Sequence, residues 1–208
     1  MKLGLFTAAL TKVSLDELMP RVTALGIEAI ELSTGNYGTP AHIQLEWIEQ
    51  PQKLKDLQKK LKDAGLFISA LGCGGNVLHP DARIADAHAT TMRRSILLAE
   101  ALEIPTVINF SGCPGDSDHS KYPNFVTVAW PPDYPEILRW QWEEKVLPFW
   151  RQESRFAAEH GIRIALEMHP GFVVYSPETL LRLRSETGPN IGCNFDPKIG
   201  RASCRERV

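Results

Sequence analysis

Short apolar segments alternate along the chain with longer amphipathic segments. The apolar segments, which are typical of buried β-strands, cover residues 3–7, 28–32, 67–71, 106–110, 163–166 and 191–195. The amphipathic segments predict helices at residues 15–25, 51–64, 84–102, 135–160 and 177–185. Strict alternation with nearly continuous apolar strands indicates an α/β protein whose parallel sheet is covered by helices.

Two of the predicted helices begin with recognisable capping signals. Ser14 is followed three residues later by Glu17, which is a capping box. Ser176 precedes Pro177, and proline is favoured at the first helical position. These starts support the predicted helix boundaries.

Two architectures fit this alternation, a doubly wound open sheet and a (β/α)8 barrel. The turn after the first strand, residues 7–13, has no glycine, which removes the fingerprint of a dinucleotide-binding open sheet. A barrel gathers its strand ends at one mouth, and polar residues follow many of the strands: Glu31, Asn76, His79, Asn109, Glu167, His169 and Asp196. We therefore predict an incomplete (β/α)8 TIM barrel with about six strands and five helices.

The end of the chain departs from this pattern. Residues 1–197 are predicted to form the partial barrel domain, whereas residues 198–208 show no periodicity and resemble the translation of a sequencing adapter. The alternative is a genuine short basic terminus. Because such barrels typically have about 250 residues, we expect the native protein to continue for about two more strand–helix units.

Charge and composition narrow the function classes. The net charge of −2 gives no basic footprint for nucleic acid, and no run of about eighteen apolar residues predicts a membrane span. The four cysteines form no CxxC motif, and we expect Cys73 and Cys193 to be buried in strands. A reducing, cytoplasmic location fits this cysteine usage.

Two motifs place an acid at the end of an apolar strand: Glu167-Met168-His169-Pro170 and Asn194-Phe195-Asp196-Pro197. A carboxylate buried there is costly unless a cation lies beside it. Two such carboxylates on successive strands predict one shared divalent metal, and their oxygen atoms suit Mn²⁺, Mg²⁺, Co²⁺ or Zn²⁺ without choosing among them. The alternative is that Glu167 and Asp196 are loop-entry caps or ion-pair partners.

Five further polar residues at strand ends are candidates for substrate contact. His169 lies two residues after Glu167, so on a continuing strand both would point to the same side. The other candidates are His79, Asn76, Glu31 and Asn109, with ordinary loop hydrogen bonding or an ion pair as the alternative. The long segment 111–134 is predicted to be either a lid or an oligomer contact.

The two acidic motifs, together with residues 30–35 and 76–80, resemble the xylose-isomerase-like sugar phosphate isomerase/epimerase superfamily. The resemblance covers about residues 1–197. It implies a metal barrel whose ligands are Glu, Asp, His and Glu from strands five to eight, with Glu167 as the first and Asp196 as the second. The superfamily continues Asp-Pro with Ser-His, whereas Lys198 and Ile199 stand there in this chain. Two ligands and one catalytic carboxylate would then lie beyond residue 197, so we expect the printed chain to be inactive.

The resemblance implies isomerisation or epimerisation of a sugar or sugar phosphate by proton abstraction next to a carbonyl. Glu167 would act as both ligand and base, because a metal-stabilised enediolate needs a carboxylate beside it. Two alternatives stay open: an abasic-site endonuclease of the same superfamily, and a metal-free binding or structural barrel. We predict a small-molecule partner, no nucleic acid and no membrane, and leave a homo-oligomer open.

Overall fold

A computed structural model describes residues 2–196 of the chain. Within that range it contains six strands: β1 (Gly4–Phe6), β2 (Ala29–Ser33), β3 (Phe67–Gly72), β4 (Thr106–Asn109), β5 (Arg163–Glu167) and β6 (Ile191–Asn194). They form one sheet in chain order, and the pairs β1·β2, β2·β3, β3·β4 and β5·β6 are parallel. All six predicted strands are confirmed, each with both ends within about one residue, inside the usual uncertainty of strand boundaries.

The α-helices of the described range are α1 (Leu15–Ala24), α2 (Pro51–Asp63), α3 (Ala82–Ala101), α4 (Asp133–Trp140), α5 (Leu147–Glu159) and α6 (Pro177–Thr187), and two short 3₁₀ helices cover Thr7–Leu10 and Leu45–Glu49. A π-helical segment, Gln141–Val146, joins α4 to α5 without a break. Five helical segments therefore alternate with the six strands of residues 2–196, as predicted. This confirms the α/β class and the strand–helix alternation of an incomplete (β/α)8 barrel.

The predicted capping signals are formed. Ser14 Oγ accepts from the Glu17 N–H, and Glu17 Oε2 accepts from the Ser14 N–H at 3.1 Å. At the start of α6, Ser176 exchanges hydrogen bonds with Thr179 in the same reciprocal way. Side-chain caps of this kind satisfy the backbone N–H groups that a helix start leaves unpaired.

Contact density divides the chain into two units, which are described separately. The first unit comprises residues 2–74, 91–108 and 160–162. Its core contains fully buried aliphatic side chains of β2, β3 and α3: Ile30, Leu32, Leu71, Ile96 and Leu98. Burial of each such side chain contributes roughly 1.5–3 kcal/mol, so this cluster is a major source of the unit's stability.

The second unit comprises residues 75–90, 109–159 and 163–196. Trp142 and Trp150 are almost fully buried in it. Along β5, the buried Ile164 and Leu166 alternate with the half-buried Ala165 and Glu167. One face of β5 therefore belongs to the core, and the other carries the predicted catalytic carboxylate.

The two strand cysteines differ from expectation in one case. Cys73 is fully buried, as predicted, but Cys193 is exposed. The prediction for Cys193 was wrong because an apolar run predicts a strand without showing which of its side chains are covered: Ile191 of β6 is buried, whereas Cys193 is exposed.

The described range contains no helix with the length and apolar character needed to cross a lipid bilayer. The predicted domain boundary at residue 197 and the tail at residues 198–208 lie outside the described residues.

Candidate active site

Glu167 is the last residue of β5 and carries a half-buried carboxylate. Its register partner on β6 is Asn194, whose Nδ2 donates to Glu167 Oε2 at 3.1 Å. Burial raises the pKa of Glu167 above its ordinary value, and the negative charge of Asp196 raises it further. The Asn194 hydrogen bond and His169 act in the opposite direction. The carboxylate is thus held where its charge is only partly compensated.

Asp196 lies two residues beyond Asn194 and is exposed. Because its charge acts on Glu167, the two predicted carboxylates lie within electrostatic range of each other. This proximity follows from the parallel pairing of β5 and β6, whose carboxyl ends lie side by side.

His169 lies near Glu167, but the strand geometry used in the prediction does not account for its position. The strand ends at Glu167, so the alternation of side chains along a strand does not place His169. In its protonated form, His169 nevertheless lies close enough to Glu167 to lower the pKa of that carboxyl. His169 Nδ1 lies 2.8 Å from the Pro170 carbonyl oxygen. Since a carbonyl can only accept, Nδ1 carries the proton in the neutral ring, and Nε2 holds the lone pair.

Two phenylalanines lie against His169 and form what we call the aromatic wall, Phe110 and Phe172. Their rings stack at a centroid distance of 4.6 Å. The His169 ring lies 5.5 Å from Phe110 and 6.0 Å from Phe172. Sequence reasoning missed both residues, although one directly follows the candidate Asn109 and the other directly follows the Pro170-Gly171 turn.

Asn109, the last residue of β4, is fully buried. Its Oδ1 accepts from the N–H groups of Gly75 at 3.1 Å and Phe110 at 2.8 Å. These two donors fix which end of the amide is oxygen, since a flipped amide would place nitrogen against nitrogen. Nδ2 is then a buried donor with no hydrogen-bond partner among the described residues. A buried donor of this kind is costly and calls for an explanation.

Asn76, after β3, is buried and fully engaged in bracing two loops. Oδ1 accepts from the N–H groups of Cys113 at 2.9 Å and Leu78 at 3.1 Å, and Nδ2 donates to the Cys113 carbonyl at 3.0 Å. The Asn76 N–H also donates to His88 Nδ1 at 2.9 Å. The structure thus gives Asn76 a bracing role, and its substrate contact stays a prediction.

His79 lies in a cleft of about 500 Å³ whose lining also includes Asp81, Ser120, Lys121 and Tyr122. Its Nδ1 accepts from the Asp81 N–H at 2.9 Å, so the neutral ring carries its proton on Nε2. Hydrogen bonds from Arg83 lower the pKa of Asp81 to about 2. His79 could therefore offer an N–H donor to a ligand in this cleft.

Glu31 belongs to the first unit, at the end of β2. Its carboxylate lies over Gly72, where an added Cβ would stand 2.8 Å from Glu31 Oε1 and 3.4 Å from the Phe6 ring. The absence of a side chain at Gly72 therefore makes room for Glu31. Thr7 Oγ1 donates to the Glu31 carbonyl at 3.1 Å.

The other six predicted residues all lie in the second unit, where successive contacts connect most of them. Gly75, next to Asn76, donates to Asn109, which is followed by Phe110. The Phe110 ring touches His169, and His169 acts on Glu167. His79 joins the network through its N–H, which donates to the Asn76 carbonyl at 3.3 Å.

The β4–α4 loop, residues 110–132, is anchored near its beginning and again at Asn124. Gln141, the first residue of the π-helical segment, is fully buried, and its Nε2 donates to the carbonyls of Gly115 at 2.9 Å and Asn124 at 2.7 Å. Trp150 Nε1 donates to the Ser111 carbonyl at 2.8 Å. The predicted lid role therefore concerns the exposed residues of this loop, which are 116–119, 121–123, 125 and 127–130, and it stays a prediction.

The donor chemistry of Glu167 and Asp196 suits an oxygen-binding divalent cation. The negative charge of Asp196 disfavours the charged form of Glu167, and a cation beside both carboxylates would relieve that repulsion. Within residues 2–196, no three His, Cys, Asp or Glu side chains are grouped in a way that could hold a metal ion. The pair fits a partial ligand set, since divalent metals in catalytic sites usually take at least about three protein ligands.

A family profile described as "Xylose isomerase-like TIM barrel" matches residues 20–198. The chain belongs to this family. The match confirms the resemblance and the barrel class predicted from the sequence.

One curated relative is the uncharacterized protein YfiH of Bacillus subtilis (strain 168), 34% identical over 201 residues. The alignment covers 95% of this chain and 64% of YfiH, so the chain spans less than two thirds of that relative's length.

Three solved structures illustrate the fold. A D-tagatose 3-epimerase-like protein has a TM-score of 0.61 and 20% identity, with 93% of this chain and 64% of that chain covered. The probable 3-DHS dehydratase AsbF of Bacillus anthracis has a TM-score of 0.61 and 18% identity, with 93% and 62% covered. The IolI protein, solved with a bound zinc atom, has a TM-score of 0.58 and 18% identity, with 93% and 62% covered. At these identities the likeness shows the fold alone.

Proposed function

We propose that the protein is a divalent-metal-dependent isomerase or epimerase of a sugar or sugar phosphate. One observation carries the proposal: the half-buried Glu167 at the end of β5 lies within electrostatic range of Asp196 at the end of β6. A half-buried carboxylate that lies near the charge of a second acid is an arrangement that a cation stabilises.

Glu167 is the proposed base that removes the proton from the carbon next to the sugar carbonyl. Its raised pKa supports this role, because a base works best when its pKa approaches the working pH. A bound divalent cation would supply the positive charge that stabilises an enediolate, with Glu167 and Asp196 among its ligands. Around the reacting carbon, His169 Nε2 would accept from a sugar hydroxyl and Asn109 Nδ2 would donate to a sugar oxygen.

The named neighbours support carbohydrate chemistry in this family. They include an epimerase-like protein and a dehydratase, and IolI is described with zinc. The abasic-site endonuclease alternative is not favoured by this set. A metal-free binding barrel is the remaining alternative, and metal binding distinguishes it from the enzyme.

The activity is proposed for a protein of the relative's full length, because the chain spans 64% of YfiH. The predicted substrate contacts of His79, Asn76 and Glu31 stay predictions. A homo-oligomer and a cytoplasmic location also stay predictions. The direct test on the 208-residue chain is therefore metal binding rather than turnover.

Mn²⁺ binding to the 208-residue protein can be measured by electron paramagnetic resonance, with Glu31→Gln as the matched control for Glu167→Gln. We expect weak, saturable Mn²⁺ binding that Glu167→Gln reduces by at least about tenfold, which corresponds to about 1.4 kcal/mol. Glu31→Gln, which removes a strand-end carboxylate of the first unit, should leave it unchanged. Equal Mn²⁺ binding by the wild type and Glu167→Gln, or none by either, would contradict the proposal.

A further inference from the structure

Asn194 is the residue of β6 that lies opposite Glu167 of β5. Each is the last residue of its strand, and the parallel register pairs them directly. Both residues are half-buried, and Asn194 Nδ2 donates to Glu167 Oε2 at 3.1 Å. Because an ionised carboxylate can only accept, the amide must present its nitrogen to Glu167. The register of the sheet therefore brings a hydrogen-bond donor to the proposed base.

This hydrogen bond makes the two carboxylate oxygens of Glu167 different. Oε2 accepts from Asn194, whereas Oε1 has no hydrogen-bond or ion-pair partner among residues 2–196. The last torsion of a glutamate side chain has broad preferences, so a carboxylate without a partner would rotate. A hydrogen bond to an ionised carboxylate is roughly twice as strong as one between neutral groups. The Asn194 amide can therefore fix the orientation of the carboxylate while Oε1 stays open.

The side chain of Asn194 takes no part in bracing the framework. In the part of the chain that the structure describes, its single side-chain hydrogen bond goes to Glu167, and its Oδ1 accepts none. Asn76, by contrast, uses its amide to hold backbone groups of two loops. The hydrogen bonding of the Asn194 side chain is thus directed at the candidate site rather than at the backbone.

From this geometry we infer that Asn194 is a positioning residue: its amide holds Glu167 by Oε2 and leaves Oε1 open for the divalent cation. The inference rests on the proposed function and deepens it by naming the residue that orients the proposed ligand and base. Asn194 acts through Glu167. Removal of a group that orients a metal ligand in this way typically lowers metal affinity by about 10–100-fold.

Mn²⁺ binding, measured by electron paramagnetic resonance on the 208-residue protein, tests the inference. Asn194→Leu keeps the approximate size of the side chain without its amide, and Asn194→Ala removes most of the side chain. We expect each variant to bind Mn²⁺ about tenfold more weakly, whereas leucine would replace a merely space-filling side chain without loss. Cys193→Ala, which truncates the neighbouring exposed side chain of β6, is the control and should bind Mn²⁺ as the wild type does.

A second readout needs no metal. In ¹⁵N NMR spectra of the metal-free protein, the side-chain amide protons of Asn194 are identified by their loss in Asn194→Leu. A proton that is hydrogen-bonded to an ionised carboxylate resonates at lower field than one bonded to a neutral amide, because the bond is stronger. Glu167→Gln should therefore move one Asn194 amide proton to higher field at neutral pH. Glu31→Gln, in the first unit, should leave that proton in place.

The two readouts separate this inference from the proposed function. Near-ultraviolet circular dichroism verifies the fold of each variant, and either Asn194 variant alone can decide. Mn²⁺ binding that depends on Glu167 but is unchanged in the folded Asn194 variants overturns the inference and leaves the proposed function standing. An Asn194 amide proton that does not respond to Glu167→Gln also overturns the inference. If the wild type binds no Mn²⁺, the proposed function fails, and the NMR readout alone decides whether Asn194 holds the Glu167 carboxylate.

Discussion

The loop after β2 and the ends of β5 and β6 both carry polar residues next to apolar strands, yet the two regions use them differently. After β2, Thr34 Oγ1 bonds Ser95 Oγ at 2.7 Å and donates to the Gly72 carbonyl at 3.2 Å, and Asn36 Nδ2 donates to the Cys73 carbonyl at 2.8 Å. At β5 and β6, the pKa of Glu167 is raised, and its carboxylate accepts a hydrogen bond from the side-chain amide of Asn194. The side chains of the first region bond to the backbone, whereas the second region holds a half-buried carboxylate whose charge is only partly compensated.

The same contrast recurs within the second unit between two buried asparagines. Asn76 makes three side-chain hydrogen bonds that tie one loop to another, while Asn109 leaves Nδ2 without a partner in the described residues. A strand-end polar residue therefore indicates function only when its hydrogen-bonding groups remain unused by the framework.

The largest expected effect on stability separates these two asparagines. Asn76→Ala leaves three backbone groups of Cys113 and Leu78 unpaired and should lower the free energy of unfolding by about 3 kcal/mol. Asn109→Ala leaves two N–H groups unpaired but also removes a buried donor without a partner, so we expect a loss of about 1 kcal/mol. Urea unfolding measures both, and an equal or larger loss for Asn109→Ala would contradict the assignment of Asn76 to the framework.

The next effect concerns the loop after β2. Thr34→Val keeps the shape of the side chain but removes two buried hydrogen bonds, so it should cost about 1–2 kcal/mol of stability. Because Thr34 belongs to the framework, the Mn²⁺ affinity of the folded Thr34→Val protein should equal that of the wild type. A Thr34→Val protein that is as stable as the wild type, or one that is folded but has lost Mn²⁺ binding, would contradict the assignment of Thr34 to the framework.

The smallest effect is a gain in stability at Glu167. An acid whose pKa is raised by folding binds more protons in the folded than in the unfolded state between its ordinary and raised pKa values, so stability falls as pH rises through that window. Glu167→Gln removes this dependence and should raise the Tm at neutral pH by about 1–2 °C, a small shift for a chain of this size.

The pH series supplies the control for Glu167→Gln. Below pH 4.5, the ordinary pKa of glutamate, the wild type is protonated at Glu167 and the two proteins should melt together. Differential scanning calorimetry between pH 4 and 8 follows the divergence. A lower Tm for Glu167→Gln at pH 7 would show that the Glu167 carboxylate stabilises the fold and belongs with the framework residues.

Much of the fold could be predicted because its signals are local. The strands are short apolar segments between helices with explicit caps, such as Ser14 and Glu17, so their ends were placed within about one residue. The nearness of Glu167 and Asp196 was also predictable, since the carboxyl ends of successive parallel strands share one edge of the sheet.

The remaining features depend on contacts between distant segments. In the aromatic wall, Phe110 just after β4 stacks on Phe172 beyond β5, and no periodicity in either segment predicts this stacking. The bracing of Asn76 depends on the position of Cys113, 37 residues away. For the same reason sequence alone could not separate the framework asparagine from the candidate ligand-binding one.

The π-helical segment between α4 and α5 bears on the directions in which side chains leave the helix. Each residue of an α-helix corresponds to about 100° of rotation and 1.5 Å of rise, and a π turn accommodates one residue more than an α turn. Because the extra residue is taken up within the turn, an α-helical segment with one residue fewer would cover nearly the same rotation as Gln141–Val146. The side chains of α4 and α5 therefore keep the directions that they would have on an uninterrupted α-helix. Gln141, the first residue of the segment, still faces the carbonyls of Gly115 and Asn124. In this helix, an added residue lengthens the chain without changing the direction of the side chain that holds the loop.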